Sequence, residues 1–133
     1  MQITASTVSL TVDDVAASQT FFTTHLGYTE QAAADGFASL ARPDAAADIV
    51  LLARGIEILP PEQRDQRACG LILAFTLTSG IEDEEKRLRA EGVDITMPLR
   101  EEPWGERLFQ VTDPNGVIVQ FVEWVTPSSP ENA

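Results

Sequence analysis

Thr7-Val-Ser-Leu-Thr-Val12 is a stretch in which polar and apolar residues alternate. This period of two predicts a β-strand whose two faces differ in polarity. The pattern returns at a constant offset of 65 positions, which pairs Val8, Leu10 and Val12 with Leu73, Phe75 and Leu77, and Gly27 with Gly92. Because each glycine ends the helix predicted after its strand, the shared offset indicates a tandem duplication of one structural unit.

Each repeat is predicted to contain a strand, a helix and three further strands. In the first, Asp13 and Asp14 can cap a helix that begins near Val15. In the second, a strand at 70–78 precedes a helix that begins with a capping box, Ser79 with Glu82. The strands after the two helices are predicted at about 28–33, 36–41, 48–53, 93–98, 106–112 and 117–125.

The chain is therefore predicted to be a single α+β domain over residues 1–133, built from two βαβββ modules. The modules cover about 5–54 and 70–126, with a connector at about 55–69 and a polar tail at 127–133. We expect each helix to pack on one face of a curved antiparallel sheet, and the sheets to form a half-barrel cup.

The strand faces that point away from the helices carry small or mildly polar residues. The residues on these faces are Thr7, Ser9 and Thr11 in the first repeat, and Ile72, Ala74 and Thr76 in the second. A protein core would favour larger apolar groups, whereas small polar residues on a concave sheet suit a ligand-binding cup. We therefore expect Thr7, Ser9, Thr11 and Ile72 to line such a cup.

The composition narrows the range of partners. A net charge of −12 makes nucleic acid and anionic membranes poor partners, and modestly favours a cationic ligand. The same charge is also typical of a surface that only maintains solubility. With Cys69 as the one cysteine, no intramolecular disulfide is possible. Without a signal-peptide pattern or a long apolar run, we expect a cytoplasmic protein.

Several segments resemble the glyoxalase/bleomycin resistance/dioxygenase superfamily, the vicinal oxygen chelate fold. They include Thr7–Val15, Phe21-Phe22 with Leu26-Gly27-Tyr28, Leu73–Leu77, Ala90–Val93 and, most specifically, Asp113-Pro-Asn-Gly-Val-Ile-Val-Gln-Phe-Val-Glu123. The resemblance implies the tandem βαβββ fold. It also implies that the family's enzymes hold a divalent metal with His, Glu or Gln side chains from the first and closing strands of each half.

The family's metal-ligand positions fall on unsuitable residues in this chain. By motif they are Thr7, Ile72, Gln120 and either Val50 or Leu51, depending on the register. Divalent transition metals need several imidazole or carboxylate donors, which these residues do not supply. The only histidine, His25, is placed near a helix C-terminus, where a surface role is expected. We therefore expect neither a bound metal nor another cofactor.

Other candidate ligand contacts lie in the second half of the chain. Gln120 can donate and accept hydrogen bonds, although Thr7 or a water could satisfy it instead. Trp104 offers a face for stacking or cation–π contact, and the neighbouring Glu101 and Glu102 would favour a cation. Alternatively, Trp104 fills the rim or a dimer contact and the glutamates are simply solvated. Phe37 is a further lining candidate or a core residue.

These features favour a metal-independent protein that binds a small organic molecule, cationic or aromatic, in the manner of the family's drug-sequestering members. By the same resemblance we expect a homodimer. The alternative is a divalent-metal-dependent lyase, isomerase or dioxygenase of the superfamily. A third reading is a metal-free catalyst that uses Glu101, Glu102 or Asp113 as a base.

Overall fold

The computed structural model describes residues 1–125, so the predicted polar tail at 127–133 lies outside the described part of the chain. The elements, in chain order, are β1 (Thr7–Val12), α1 (Val15–His25), β2 (Thr29–Ala34), β3 (Phe37–Ala41), β4 (Asp48–Ala53), a 3-10 turn (Pro61–Gln63), β5 (Ile72–Thr76), α2 (Ile81–Ala90), β6 (Asp94–Glu101), β7 (Glu106–Thr112) and β8 (Ile118–Trp124). This order contains βαβββ twice, so the predicted α+β modules are confirmed.

The chain divides into two compact units. The first contains Met1–Gly70 together with Pro114–Gly116, and the second contains Leu71–Asp113 and residues 117–125 of the described chain. The first unit therefore includes three residues of the turn between β7 and β8, although its strands and helix all come from the first module.

Each unit contains a four-stranded mixed sheet, with the strands in the order β1-β4-β3-β2 and β5-β8-β7-β6. The expectation of a wholly antiparallel sheet is corrected at one strand pair in each, because β1 runs parallel to β4 and β5 parallel to β8. The helix causes this arrangement: it returns the chain to the starting end of the sheet, and two antiparallel turns then leave the last strand parallel to the first.

The core of the first unit lies between its sheet and α1. Phe22 is fully buried, and its ring meets those of Phe21 and Tyr28 edge-on at centroid distances of 5.5 and 5.6 Å. The carboxylate of Asp14 accepts a hydrogen bond from the Ala17 amide at 3.1 Å, so the predicted cap of α1 is confirmed.

The second unit packs α2 against a group of aromatic rings. Phe109 is fully buried and stacks on Phe121 at a centroid distance of 5.0 Å, while Phe75 lies 6.0 Å from Phe121. Leu88 from α2 is also fully buried. None of the helices over residues 1–125 has both the length and the apolar character needed to cross a membrane.

The predicted capping box at the start of α2 is wrong. The capping position is Gly80, in a left-handed conformation with φ of 81°, which leaves Ser79 one residue too early. The amide of Ile81 instead donates to the carboxylate of Glu123 on β8, at 2.9 Å. A strand residue 42 positions away therefore caps this helix, and its negative charge also suits the helix N-terminus.

Glu123→Ala is expected to lower the free energy of unfolding by about 1 kcal/mol, which is typical of a lost side-chain cap. Glu123→Gln keeps a carbonyl acceptor, so it should lower the free energy of unfolding by only about half as much as Glu123→Ala does. Urea unfolding followed by circular dichroism measures both changes. Equal stability of wild type and Glu123→Ala would show that the cap contributes nothing.

Candidate functional site

The open face of the first sheet, opposite α1, holds the candidate residues of β1 and β3. Thr7 and Ser9 are exposed, whereas Thr11 is only 7% exposed, so its hydroxyl is poorly accessible to a ligand. Phe37 lies beside Leu52 in the strand register, and Leu52 lies beside Thr11. Thr11 and Phe37 are therefore brought onto one row across the sheet.

The strand register resolves the alternative between Val50 and Leu51. Ser9 pairs with Val50, which is the same relation as Ala74 with Gln120 one module later. Leu51 is fully buried beneath the sheet, beside Leu10. Val50 is therefore the residue equivalent to Gln120, and its side chain supplies no donor atom.

Two surface grooves lie in the first unit. One, of about 360 Å³, contains Phe37 and runs past the start of α1; its lining also includes Asp13, Asp14, Gln19, Ala34 and Asp35. The other, of about 420 Å³, is lined by Arg54, Asp65, Gln66, Arg67, Ala68, Cys69, Asn115 and Gly116. Of the predicted ligand-contacting residues, these two grooves include only Phe37.

The basic side chains of the second groove are already paired. Arg54 and Arg67 both contact the carboxylate of Asp13, at 2.9 and 3.4 Å. Cys69, an exposed free thiol, also lines this groove. Because Asp13 offsets much of the positive charge of the arginines, we expect this groove to bind anions weakly.

The open face of the second sheet, opposite α2, holds Gln120. Its side-chain oxygen accepts a hydrogen bond from Nε2 of Gln110 at 2.8 Å, and the two residues are register partners on β8 and β7. Ile72, on β5, is 52% exposed. This face therefore combines a polar amide pair with accessible apolar surface.

Trp104 lies in the turn between β6 and β7 and is 62% exposed. Its indole N–H donates to the carboxylate of Glu106 at 2.9 Å. Glu102 forms an ion pair with Arg100 at 2.7 Å, whereas Glu101 is exposed. The charge of Glu102 is thus largely compensated within the protein, which leaves less negative charge for a ligand than the sequence suggests.

Trp124 lies close to this turn. It pairs with Glu106 in the strand register, and the amide of the following residue, Val125, donates to the carbonyl of Gly105 at 3.0 Å. Trp124 is 49% exposed. The two exposed tryptophans of the second unit therefore lie at the same end of its sheet.

The donor set on the open faces does not fit the divalent metal implied by the sequence resemblance. Thr7 offers a hydroxyl, Val50 and Ile72 offer hydrocarbon, and the carbonyl of Gln120 is engaged by Gln110. Within residues 1–125, no cluster of three or more His, Cys, Asp or Glu side chains has the geometry to hold a metal ion. His25 ends α1, where its ring contacts Phe21 at 5.6 Å.

Reasoning from the sequence missed Gln110, although a signal for it was present. The hairpin that contains the Asp113-Pro-Asn-Gly116 turn pairs residues at equal distances from Asn115. Gln110 and Gln120 are both five positions from Asn115, so a symmetric hairpin places them opposite each other. The alternation along β8 alone does not reveal this partner, because it assigns Gln120 to a face but not to a neighbour.

Comparisons with known proteins agree with this fold. The family model for the glyoxalase/bleomycin resistance protein/dioxygenase superfamily matches residues 4–121. A solved structure of a glyoxalase/bleomycin resistance protein/dioxygenase from Nocardioides is similar at 26% identity and a TM-score of 0.75, covering 98% of this chain and 89% of its own. No curated protein matched the chain.

Two further solved structures are similar in fold. An integron cassette protein from the mobile metagenome of V. cholerae has 24% identity and a TM-score of 0.71, over 92% of this chain and 97% of its own. A lactoylglutathione lyase from Agrobacterium tumefaciens has 16% identity and a TM-score of 0.72, over 92% of this chain and 94% of its own.

Proposed function

Because the chain belongs to the glyoxalase/bleomycin resistance protein/dioxygenase superfamily, we propose that it is a metal-independent member that binds a small organic molecule. One observation carries the proposal. The position at which the family's closing strand supplies a metal ligand holds Gln120, and its carbonyl is hydrogen-bonded to Gln110 instead. The equivalent position of the first module, Val50, has no donor atom at all.

The proposed mechanism is stoichiometric capture of the ligand. The exposed ring of Trp104 provides a stacking surface, and Gln120 provides hydrogen bonds. The net charge of −12 favours a cationic group on the ligand. Such a protein would sequester an antibiotic or another organic compound rather than convert it. On the first sheet, the exposed hydroxyl groups of Thr7 and Ser9 are available for ligand contacts.

We also propose that the protein functions as a homodimer.

Metal analysis combined with ligand binding tests this proposal. The purified protein is expected to contain far less than one equivalent of Mn, Fe, Ni or Zn. Its affinity for a cationic aromatic probe, 9-aminoacridine, should not change when a chelator is added. Acridine, which is uncharged at neutral pH, should bind more weakly than 9-aminoacridine because it lacks the attraction of the acidic protein.

Trp104→Leu is expected to weaken 9-aminoacridine binding about fivefold, because a stacking or cation–π contact contributes about 1 kcal/mol. Trp124→Leu is the matched control, since Trp124 is comparably exposed at the same end of the sheet but lies on a strand rather than in the turn. Isothermal titration calorimetry gives both affinities. Equal losses in the two variants would contradict a specific role for Trp104.

Two outcomes would overturn the proposal as a whole. Stoichiometric metal that survives purification, and whose removal abolishes binding or activity, would establish the metal-dependent lyase, isomerase or dioxygenase instead. Failure of the acridines, of other cationic aromatic compounds and of uncharged aromatic heterocycles to bind would remove the binding function. Gel filtration with light scattering tests the homodimer independently, and a monomer at micromolar concentration would contradict it.

A further inference from the structure

The open face of the second sheet holds two glutamines in one cross-strand pair. Gln110 and Gln120 are register partners, and Nε2 of Gln110 lies 2.8 Å from Oε1 of Gln120. Both side chains are partly exposed. The pair is thus ordered by its own hydrogen bond while it remains accessible from solvent.

This hydrogen bond determines which groups remain for a ligand. A primary amide has one carbonyl acceptor and an NH2 donor. The internal bond occupies one N–H of Gln110 and one lone pair of the Gln120 carbonyl. The two groups that it does not engage at all are the carbonyl of Gln110 and the NH2 group of Gln120. Reversing the orientation of both amides leaves the same combination, one acceptor and one donor, so the result does not depend on which atom is nitrogen.

The surroundings of the pair are mostly apolar. On the same face, the nearest rows along the strands contain Ile118 and Thr112 on one side, and Val122 and Leu108 on the other. Val122 and Leu108 are buried, at 5% and 7% exposure. A hydrogen bond made beside such residues is stronger than one made in water. The accessible apolar surface on this face comes from Ile72, which is 52% exposed and pairs with Ile118, and a flat apolar skeleton would bury surface there.

The free hydrogen-bonding groups of the pair and the net charge of the protein together narrow the class of ligand. A carboxylate could use the donor only, and the net charge of −12 would repel it. A metal cation would have a single free amide carbonyl, which is too few donors. A neutral amide, lactam, imide or urea uses both groups at once.

We propose that the Gln110–Gln120 pair recognises an uncharged heterocyclic group of the ligand that carries both an N–H donor and a carbonyl acceptor, as in a lactam, imide or cyclic urea. This inference rests on the proposed binding function and names the chemical class of ligand that the same face selects. The carbonyl of Gln110 accepts from the ligand N–H, and the NH2 group of Gln120 donates to the ligand carbonyl.

Three related bicyclic compounds test the inference. Quinazoline-2,4-dione presents N–H and carbonyl groups alternately along one edge, so it can meet the pair without requiring one spacing. Its 1,3-dimethyl derivative has lost both N–H donors and keeps the carbonyls, whereas quinazoline has neither the carbonyls nor the N–H donors. We expect the dione to bind wild type at least tenfold more tightly than either of the others, measured by calorimetry.

Substitutions of the two glutamines test whether these residues cause the preference for the dione. Gln110→Leu and Gln120→Leu should each weaken binding of the dione about tenfold and leave the affinity for the dimethyl compound unchanged, which also shows that the variants fold. Thr96→Val is the matched control, because it removes a hydroxyl pair with Thr112, at 2.9 Å, from the same sheet and leaves the amides intact. This control should bind the dione like wild type.

The outcomes separate this inference from the broader function. Equal affinity of wild type for all three compounds would overturn amide recognition and leave the binding function standing. Absence of binding by these compounds and by 9-aminoacridine would overturn both. A wild-type measurement adds a check that needs no variant: saturation with the dione should shift the side-chain NH2 resonances of Gln110 and Gln120, and unmoved resonances would contradict the proposal.

Discussion

Asn115→Ala is expected to lower the free energy of unfolding by about 3 kcal/mol, because the side chain makes three hydrogen bonds near the start of α1 and each contributes about 1 kcal/mol. Its Oδ1 accepts from the Asp14 amide at 3.0 Å. Its Nδ2 donates to the Asp14 carbonyl and to the hydroxyl of Ser18, both at 2.7 Å. Ser18 is fully buried, which raises the cost of removing its donor.

Thermal or urea unfolding measures this loss, which corresponds to a fall in Tm of roughly 10 °C. Pro114→Ala is the matched control, since Pro114 is an exposed neighbour in the same turn, and it should cost less than about 1 kcal/mol. Asn115→Asp keeps an acceptor for the Asp14 amide but has no NH2 group, so it should fall between wild type and the alanine variant. A change below about 0.5 kcal/mol in the free energy of unfolding on Asn115→Ala would show that water replaces these bonds.

Tyr28 is expected to titrate near pH 12 in the folded protein. Burial raises the pKa of its phenol from 10.0 to about 12, partly opposed by the positive charge of Arg42 and reinforced by Asp44 and Asp48. The side chain is 4% exposed, and its hydroxyl donates to the Ala47 carbonyl at 2.8 Å. Both the apolar surroundings and this hydrogen bond favour the neutral phenol.

The raised pKa makes stability depend on pH in a defined range. Below pH 10 the phenol is protonated in both the folded and unfolded states, so its contribution is complete. Between about pH 10 and 12 the unfolded state loses the proton while the folded state keeps it, so the free energy of unfolding falls as pH rises. A shift of about 2 pH units corresponds to a loss of about 3 kcal/mol.

Absorbance at the tyrosinate band follows this titration directly, because Tyr28 is the only tyrosine in the sequence. Unfolding in urea at pH 9 and pH 12 measures the loss of stability. Tyr28→Phe should lack the part of the loss that comes from the phenol, while other groups that titrate in this range remain in both proteins. A folded-state midpoint near pH 10 would contradict the effect of burial.

The local patterns of the sequence predicted most of the elements and their order. The bounds of β4 and β7 agree with the predicted 48–53 and 106–112, because a period of two is strong where turn residues flank the strand. The helix α1 begins at Val15 as predicted, since Asp14 provides a cap within the same segment. Where the deciding contacts are local, the sequence alone is sufficient.

Features that depend on distant contacts could not be predicted in this way. The cap of α2 comes from Glu123, which lies on the last strand, and the local Ser79 and Glu82 pattern was misleading. The parallel pairing of β1 with β4 and the choice of Val50 over Leu51 both depend on strand register. Alternation assigns a residue to a face but does not name its neighbour across the sheet.

The candidate site likewise combines features that local sequence patterns predict with features that depend on distant contacts. Reasoning from β8 alone identified Gln120 as a polar group on the open face, whereas its partner Gln110 follows only from the hairpin register. Similarly, Glu102 was expected to attract a cation, but its carboxylate is paired with Arg100. Such partners occupy the hydrogen-bonding groups or offset the charge of a side chain, so less of either remains for a ligand.

The first unit is assembled from two separate parts of the chain, Met1–Gly70 and Pro114–Gly116. The ribosome therefore synthesises all four strands of the first sheet before it synthesises Asn115, whose side-chain amide binds Asp14 and Ser18. In a nascent chain that stops near residue 70, the N-terminal turn of α1 would lack the hydrogen bonds that Asn115 makes to Asp14 and Ser18. Completion of this half of the protein must wait until translation has passed Gly116.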